Sequence, residues 1–206
     1  MATASFWDKA AEKYAASPIK DMNAYEETLT RTRSYLRPTD HLLEIGCGTG
    51  STALKLADTV AQITATDISG EMLRIAKGKA EKAGITNVSF ERAVSTGQHH
   101  SAPFDAACAF SILHLVDDLA ETLTHLRNEV KPGGYVISKT ACLKDMNPLI
   151  RLAIKPMQWL GKAPHVLFFN AAELEQAFRD AGFEVVETSH FGKARAVRFV
   201  VARRPA

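Results

Sequence analysis

Cysteine is scarce: the chain has three, Cys47, Cys108 and Cys142, an odd number with no paired spacing and no Cys-x-x-Cys step. A disulfide framework is thereby excluded, and a reducing compartment is indicated. No apolar run is long enough to span a bilayer, and the first residues, with Asp8, Lys9, Glu12 and Lys13, hold no apolar signal core. A cytoplasmic protein without stable membrane insertion is the expectation. Neither sign of charge is in excess, with 25 Lys and Arg against 23 Asp and Glu and a net charge of +2. Such a balance builds no field for nucleic acid or an anionic surface. Arg195, Arg198, Arg203 and Arg204 crowd one end and read as a solvated face. Metal-ligand spacing is missing as well. His99 and His100 are adjacent, so their side chains diverge, and no metal is expected.

What is present suits one domain: 206 residues, 46% of them hydrophobic, without internal repeats or low-complexity tracts. Phe6, Ala10 and Tyr14 recur at helical spacing before Ser17-Pro18, and Tyr25, Leu29 and Leu36 do so before Pro38. Short apolar strands then alternate with helices. The strands are expected at His41–Ile45, Gln62–Thr66, Asn87–Phe90, Ala106–Phe110 and Tyr135–Lys139, the last entered through a turn at Lys131-Pro132-Gly133-Gly134. Ser69 and Asp118 stand as helix N-caps, Gly84 as a helix stop, and Asn170 with Glu173 as a capping box. Alternation of this kind predicts an open α/β sheet of parallel strands joined by right-handed crossovers. Phe183–Thr188 and Ala196–Val201 follow with a short link between them, which predicts an antiparallel pair. Residues 140–169 fit no strand pattern and form the one sizeable insertion.

The stretch Glu44-Ile45-Gly46-Cys47-Gly48-Thr49-Gly50-Ser51 carries the chemistry. A buried strand runs into three glycines at alternate positions, and a helix follows at once. Bare backbone there lets a ligand lie close, at the carboxyl end of the sheet where open α/β folds bind their ligands. The dinucleotide fingerprint Gly-x-Gly-x-x-Gly needs its third glycine one residue later, where Ser51 stands. Glu44, two residues before the first glycine, suits a cationic ligand, and a sulfonium with an ammonium is such a ligand. Asp67 closes the second strand about 20 residues beyond the turn, the place of a ribose-binding acid. One carboxylate there can accept from two adjacent ribose hydroxyls. Ile68 offers an apolar face to an adenine ring.

Glu44-Ile45-Gly46-Cys47-Gly48-Thr49-Gly50 resembles motif I of the class I S-adenosylmethionine-dependent methyltransferases, and Thr66-Asp67-Ile68-Ser69 with Met72 resembles their second motif. Phe104-Asp105 and Leu126 through Gly134 are similar to the family's later segments. Phe6-Trp7-Asp8-Lys9-Ala10-Ala11-Glu12-Lys13-Tyr14 looks like the opening of the ubiquinone-biosynthesis-type small-molecule methyltransferases. The resemblance covers most of the chain and weakens over residues 140–169. It implies a Rossmann-like sheet of seven strands, mostly parallel with an antiparallel C-terminal strand, and helices on both faces. It implies S-adenosylmethionine as cofactor and S-adenosylhomocysteine as product. Gly46 and Gly48 would line the methionine part, Asp67 would hold the ribose, Ile68 and Met72 would flank the adenine, and Phe110 would lie near the donor. The family often has an acid after the third strand. Here Val94 takes that position, so the adenine amino group gains no side-chain partner from it.

Methyl transfer from a cationic sulfur asks mainly for alignment, and for a base only where the acceptor must lose a proton. His114, just past the fourth strand, is the base candidate, because histidine titrates near neutrality. Tyr14 is a candidate lid over the cofactor within an N-terminal region, residues 1–38. The insertion, residues 140–169, carries Leu149, Leu152, Ile154, Met157, Trp159 and Phe169 and is expected to cap an apolar acceptor pocket, with Trp159, His165 and Phe169 as substrate candidates. A small-molecule acceptor is favoured and nucleic acid is not. Phe110-Ser111-Ile112-Leu113 stands where amino-methylating DNA enzymes carry Asn/Asp-Pro-Pro-aromatic, and no basic target-recognition region exists. A non-catalytic cofactor-binding subunit is the alternative of a different class. The chain is expected to act as a monomer or homodimer.

Overall fold

The computed structural model describes residues 4–97, 102–159, 163–193 and 195–206. His99 and His100 lie outside the described residues. Helices α1 (Ala4–Ala16) and α2 (Met22–Arg33) precede the sheet. The strands are β1 (His41–Ile45), β2 (Gln62–Asp67), β3 (Val88–Arg92), β4 (Phe104–Phe110), β5 (Val130–Ala141), β6 (Glu184–Ser189) and β7 (Val197–Arg203). Between them run α3 (Ser51–Leu56), α4 (Gly70–Ala83), α5 (Leu119–Glu129), α6 (Pro148–Trp159) and α7 (Ala171–Asp180).

The seven strands pair in the order β3-β2-β1-β4-β5-β7-β6. All neighbours from β3 to β5 are parallel, whereas β7 runs antiparallel to both β5 and β6. The reason is length. Residues 190–196 are too few for a parallel crossover, which needs about a dozen residues, so β7 can only return beside β6. Side chains alternate between two cores, as a period of two requires. Leu42, Cys108, Ile137 and Phe199 pack with Leu29 of α2, Leu56 of α3 and Ala76 of α4 on one face. Leu43, Ala107, Val136 and Val200 pack with Leu123 of α5 and Phe178 of α7 on the other.

The helix ends follow the local signals. Ser69 accepts the Met72 amide, Asp118 accepts the Glu121 amide, and Asn170 and Glu173 exchange both bonds of a capping box. Two boundaries differ from expectation. Lys131-Pro132-Gly133-Gly134 is part of β5 rather than a turn, because the β4–β5 register shifts between Phe104 and Ala106 and absorbs the extra residues. Gly133 and Gly134 then exchange backbone hydrogen bonds with Arg204, both at 2.8 Å. At its other end β5 continues through Thr140 and Ala141, held by Arg198 and Val197 of β7, so the insertion starts after Ala141. The C-terminal arginines are also less free than a solvated face implies. Arg198 pairs with Glu175, and Arg204 donates to the carbonyls of Arg127 and Val130 at the end of α5.

This strand order reverses direction at β1. The chain moves outward through β2 and β3, then returns to place β4 on the other side of β1. The crevice between the carboxyl ends of β1 and β4 is the switch point where such sheets bind ligands.

Candidate active site

The turn after β1 leaves the strand with φ of 64° at Gly46 and 54° at Gly48, a region costly for any residue with a Cβ. The two glycines serve different ends. A Cβ on Gly46 would come within 2.6 Å of Ile112, because the segment after β4 folds directly over it. A Cβ on Gly48 would meet only the Tyr14 ring, at 3.7 Å, so its backbone faces open space beneath that ring. Gly46→Ala is therefore expected to lower stability by about 1–2 kcal/mol from backbone conformation alone, and further through Ile112. Thermal melting checks it, and a variant as stable as the parent would contradict the close packing described.

Asp67 ends β2 beside this turn. Its Oδ2 accepts the Gly48 amide at 2.8 Å and its Oδ1 accepts the Ser69 amide at 2.9 Å. Burial pushes its carboxyl up, and those amides pull it back. The carboxylate thus pins the glycine turn itself, and each oxygen keeps a lone pair for a further donor. Asp8 of α1 adds a tie that sequence reasoning missed. It accepts the Ser69 hydroxyl at 2.6 Å and the Glu71 amide, which fastens the N-terminal helix to the start of α4. An acid at the fifth position of a helix carries no sign of this; only the fold brings it to another helix's N-terminus.

A cavity of about 570 Å³ opens here. Gly46, Gly48, Asp67, Ile68 and Met72 line one end, with Ala93, Val94 and Ser95 beyond β3. Phe110, Ser111, Ile112 and His114 after β4 form its middle, and Ile154, Pro164 and Val166 of the insertion face them. Trp159, His165 and Phe169 stand outside it. Trp159 is 88% exposed, His165 is exposed, and Phe169 is buried against the sheet beside the capping box that follows it. The apolar lining from the insertion comes instead from Leu143, Ile154 and two residues of the segment leading to α7. That segment is drawn in by a hydrogen bond from the Leu167 amide to the His114 carbonyl, 2.8 Å.

A second chamber of about 450 Å³ lies on the α2 and α3 side, and Tyr14, Gly46, Phe110 and Ser111 line both. Glu44 projects into it. One side of its carboxyl serves the Ala53 amide at the start of α3, and Oε2 has no partner among the described residues. Burial pushes this carboxyl up to about 8. His114, half-buried, lines the larger cavity. Its Nδ1 has no hydrogen-bond partner among the described residues, and burial lowers the ring to about 4, so it is neutral at physiological pH.

A family model described as a methyltransferase domain matches residues 16–188. The chain belongs to that family. With the seven-stranded sheet and its antiparallel β7, it is a class I S-adenosylmethionine-dependent methyltransferase domain. The ubiquinone biosynthesis O-methyltransferase of Saccharophagus degradans is 28% identical over 193 residues, 89% of this chain and 78% of that protein. The O-methyltransferase resE of Aspergillus sclerotiorum is 30% identical over 71% of this chain, which spans 56% of it. The reducing polyketide synthase Preu2 of Preussia isomera is 27% identical over 78% of this chain, which spans 7% of that protein. Among solved structures, the methyltransferase fold is shared with the putative methyltransferase of the Haloferax volcanii Trm112 activator complex. The TM-score is 0.79 at 17% identity, covering 97% of this chain and 98% of the other. The possible histamine N-methyltransferase of Thermotoga maritima gives 0.73 at 22% identity, covering 97% and 99%.

The residues of this methyltransferase site fit its family's cofactor. The buried Oε2 of Glu44, without a partner among the described residues, can face a cation, Gly48 presents bare backbone, and Asp67 can still accept from hydroxyls. Among the described residues, no helix is long and apolar enough to cross a membrane.

Proposed function

We propose that this protein methylates a small-molecule acceptor held between the cofactor and the insertion after β5. The observation that carries this reading is the single cavity that has Asp67, Ile68 and Met72 at one end and Ile154, Pro164 and Val166 at the other. In this reading Asp67 accepts from the ribose hydroxyls, and Ile68 and Met72 flank the adenine, with Val94 leaving its amino group to backbone or water. Gly46 and Gly48 lie along the methionine part, Glu44 supplies the counter-charge, and Phe110 sits near the donor. Tyr14, over Gly48, is the lid of the N-terminal region, residues 1–38, and the insertion after Ala141 is the cap. The protein then works in the cytoplasm on a diffusible substrate.

When bound, the cofactor supplies a methyl group on a cationic sulfur that an acceptor atom displaces in line. The protein's part is to align the two and keep water out, and alignment can contribute about 7–11 kcal/mol. His114 faces the cavity with a neutral ring, so it can take a proton from an acceptor hydroxyl or amine. His114→Ala is expected to lower turnover by about 10²-fold at most, the low end of general-base effects because a ring that titrates near 4 is a weak base at neutral pH, while cofactor affinity stays within about twofold, since cofactor contacts lie elsewhere. The wild-type rate should fall on the acid side near pH 4, as the ring takes up a proton. Equal turnover of both proteins across pH would remove His114 from the chemistry.

The assay that tests the proposal follows a labelled methyl group into phenols, amines, thiols and carboxylates, with RNA and DNA as separate arms. Label in small molecules is expected. Label only in nucleic acid would overturn the acceptor class, and cofactor binding without any methylated product would favour the non-catalytic subunit.

A further inference from the structure

Two lysines face the second chamber, and neither meets a carboxylate within ion-pair distance among the described residues. Lys79 of α4 donates to the hydroxyls of Thr49, at 2.9 Å, and Ser51, at 3.3 Å. Lys139 of β5 donates to the Ala24 carbonyl at 3.2 Å and the Thr28 hydroxyl at 2.7 Å, both on α2. An ammonium has three donors, so Lys139 retains one. Its surroundings are apolar on one side, with the Phe191 ring centroid 6.0 Å away. Burial holds Lys139 below the ordinary lysine range, and Asp21 and Glu27 of α2 pull it part of the way back. A half-buried cation met only by neutral oxygens is costly, and an incoming anion relieves that cost.

The strand register sets this cation against an acid. Glu44 of β1 pairs with Cys108 of β4, Cys108 with Ile137 of β5, and Lys139 follows two residues later. Glu44 and Lys139 therefore project from the same face of the sheet, with Phe110 of β4 between them and paired to Lys139. One wall of the chamber offers an unpartnered carboxyl oxygen, and the other offers a free ammonium donor. A zwitterion complements such a pair. The cofactor carries an α-amino acid group at the end far from its adenine, and the two chambers meet at Gly46 and Phe110.

We infer that Lys139 is the receptor for the cofactor's carboxylate, so that the amino-acid end lies in the second chamber between Lys139 and Glu44. This rests on the proposal that Asp67 holds the ribose in the first chamber. Lys139 is preferred to Lys79 because its backbone also sets the place where the chambers join: its carbonyl accepts the Ser111 amide at 2.7 Å. Lys79 instead braces the glycine turn through two hydroxyls.

The test is calorimetric, with three ligands on the full chain: S-adenosylmethionine, its decarboxylated analogue and 5′-methylthioadenosine. A charge-assisted hydrogen bond to the carboxylate predicts that the wild type binds S-adenosylmethionine about 10–100-fold more tightly than the decarboxylated analogue. In Lys139→Met that preference should shrink to about threefold or less while 5′-methylthioadenosine affinity is retained, and Lys139→Arg should restore most of it. Persistence of the preference in Lys139→Met overturns the inference, as does its disappearance in Lys79→Met instead. Equal loss of all three ligands in Lys139→Met also overturns it, since the side chain would then be structural only. A wild type that binds all three equally removes this inference alone. A wild type that binds none removes the cofactor reading as well.

Discussion

Asp67→Ala is expected to weaken S-adenosylmethionine binding by about a hundredfold or more. Two ribose hydroxyls would each lose a bond to a charged acceptor, about 1.5–3 kcal/mol apiece, and 1.4 kcal/mol is a factor of ten in affinity. The structure adds a second loss. Asp67 also holds the amides of Gly48 and Ser69, so removing it frees the glycine turn and the start of α4. Each part-buried amide left without a partner costs about 1–3 kcal/mol, and the melting temperature should fall with the affinity. Asp67→Asn keeps an acceptor oxygen and should lie between alanine and wild type in both measurements. Calorimetry with S-adenosylhomocysteine beside thermal melting separates the two losses. Unchanged affinity in Asp67→Ala would take this carboxylate out of the ligand site, whatever happened to stability.

The second large effect concerns pH and Glu44. The folded protein keeps this carboxyl protonated up to about 8, while the unfolded chain releases the proton at the ordinary value of 4.5. The folded value is the raised one. The group's contribution to stability is therefore complete below about pH 4.5 and is lost as pH rises towards 8. The slope approaches about 1.4 kcal/mol per pH unit across that window. Glu44→Gln keeps an acceptor for Ala53 but cannot ionise. Its stability should fall less steeply from pH 5 to pH 8 than that of the wild type, with a difference of order 3–4 kcal/mol accumulated across the window. A bound cation favours the ionised carboxylate, so cofactor affinity in the wild type should rise with pH up to about 8 and lose that rise in Glu44→Gln. Parallel stability profiles for the two proteins would show that Glu44 ionises freely in the folded state.

The features legible in the sequence were those whose cause is local. The strand at 41–45, the glycines after it, the acid at 67 and the caps at Ser69, Asp118 and Asn170 each depend on residues within a few positions. Backbone sterics and the pairing of nearby amides dictate them wherever the chain lies. The beginning of β5 is not legible in the sequence, for the opposite reason. Lys-Pro-Gly-Gly is a turn by local preference, but pairing with β4 and with Arg204 holds it in the sheet. Within the insertion, apolar character was evident while direction was not. Ile154, Pro164 and Val166 face the cavity, whereas Trp159 points to solvent and Phe169 into the core.

The amino-acid order by itself determined the class of sheet, its antiparallel last strand, and a bare glycine turn followed by a carboxylate closing the next strand. The strand order, and with it the switch point, came from the tertiary structure. The tertiary structure alone decided that Ile112 roofs Gly46, that Asp8 ties α1 to α4, and that Glu44 and Lys139 share one chamber. Contacts of that kind join residues dozens of positions apart, and their energies come from burial and charge. Both depend on which elements lie side by side in space.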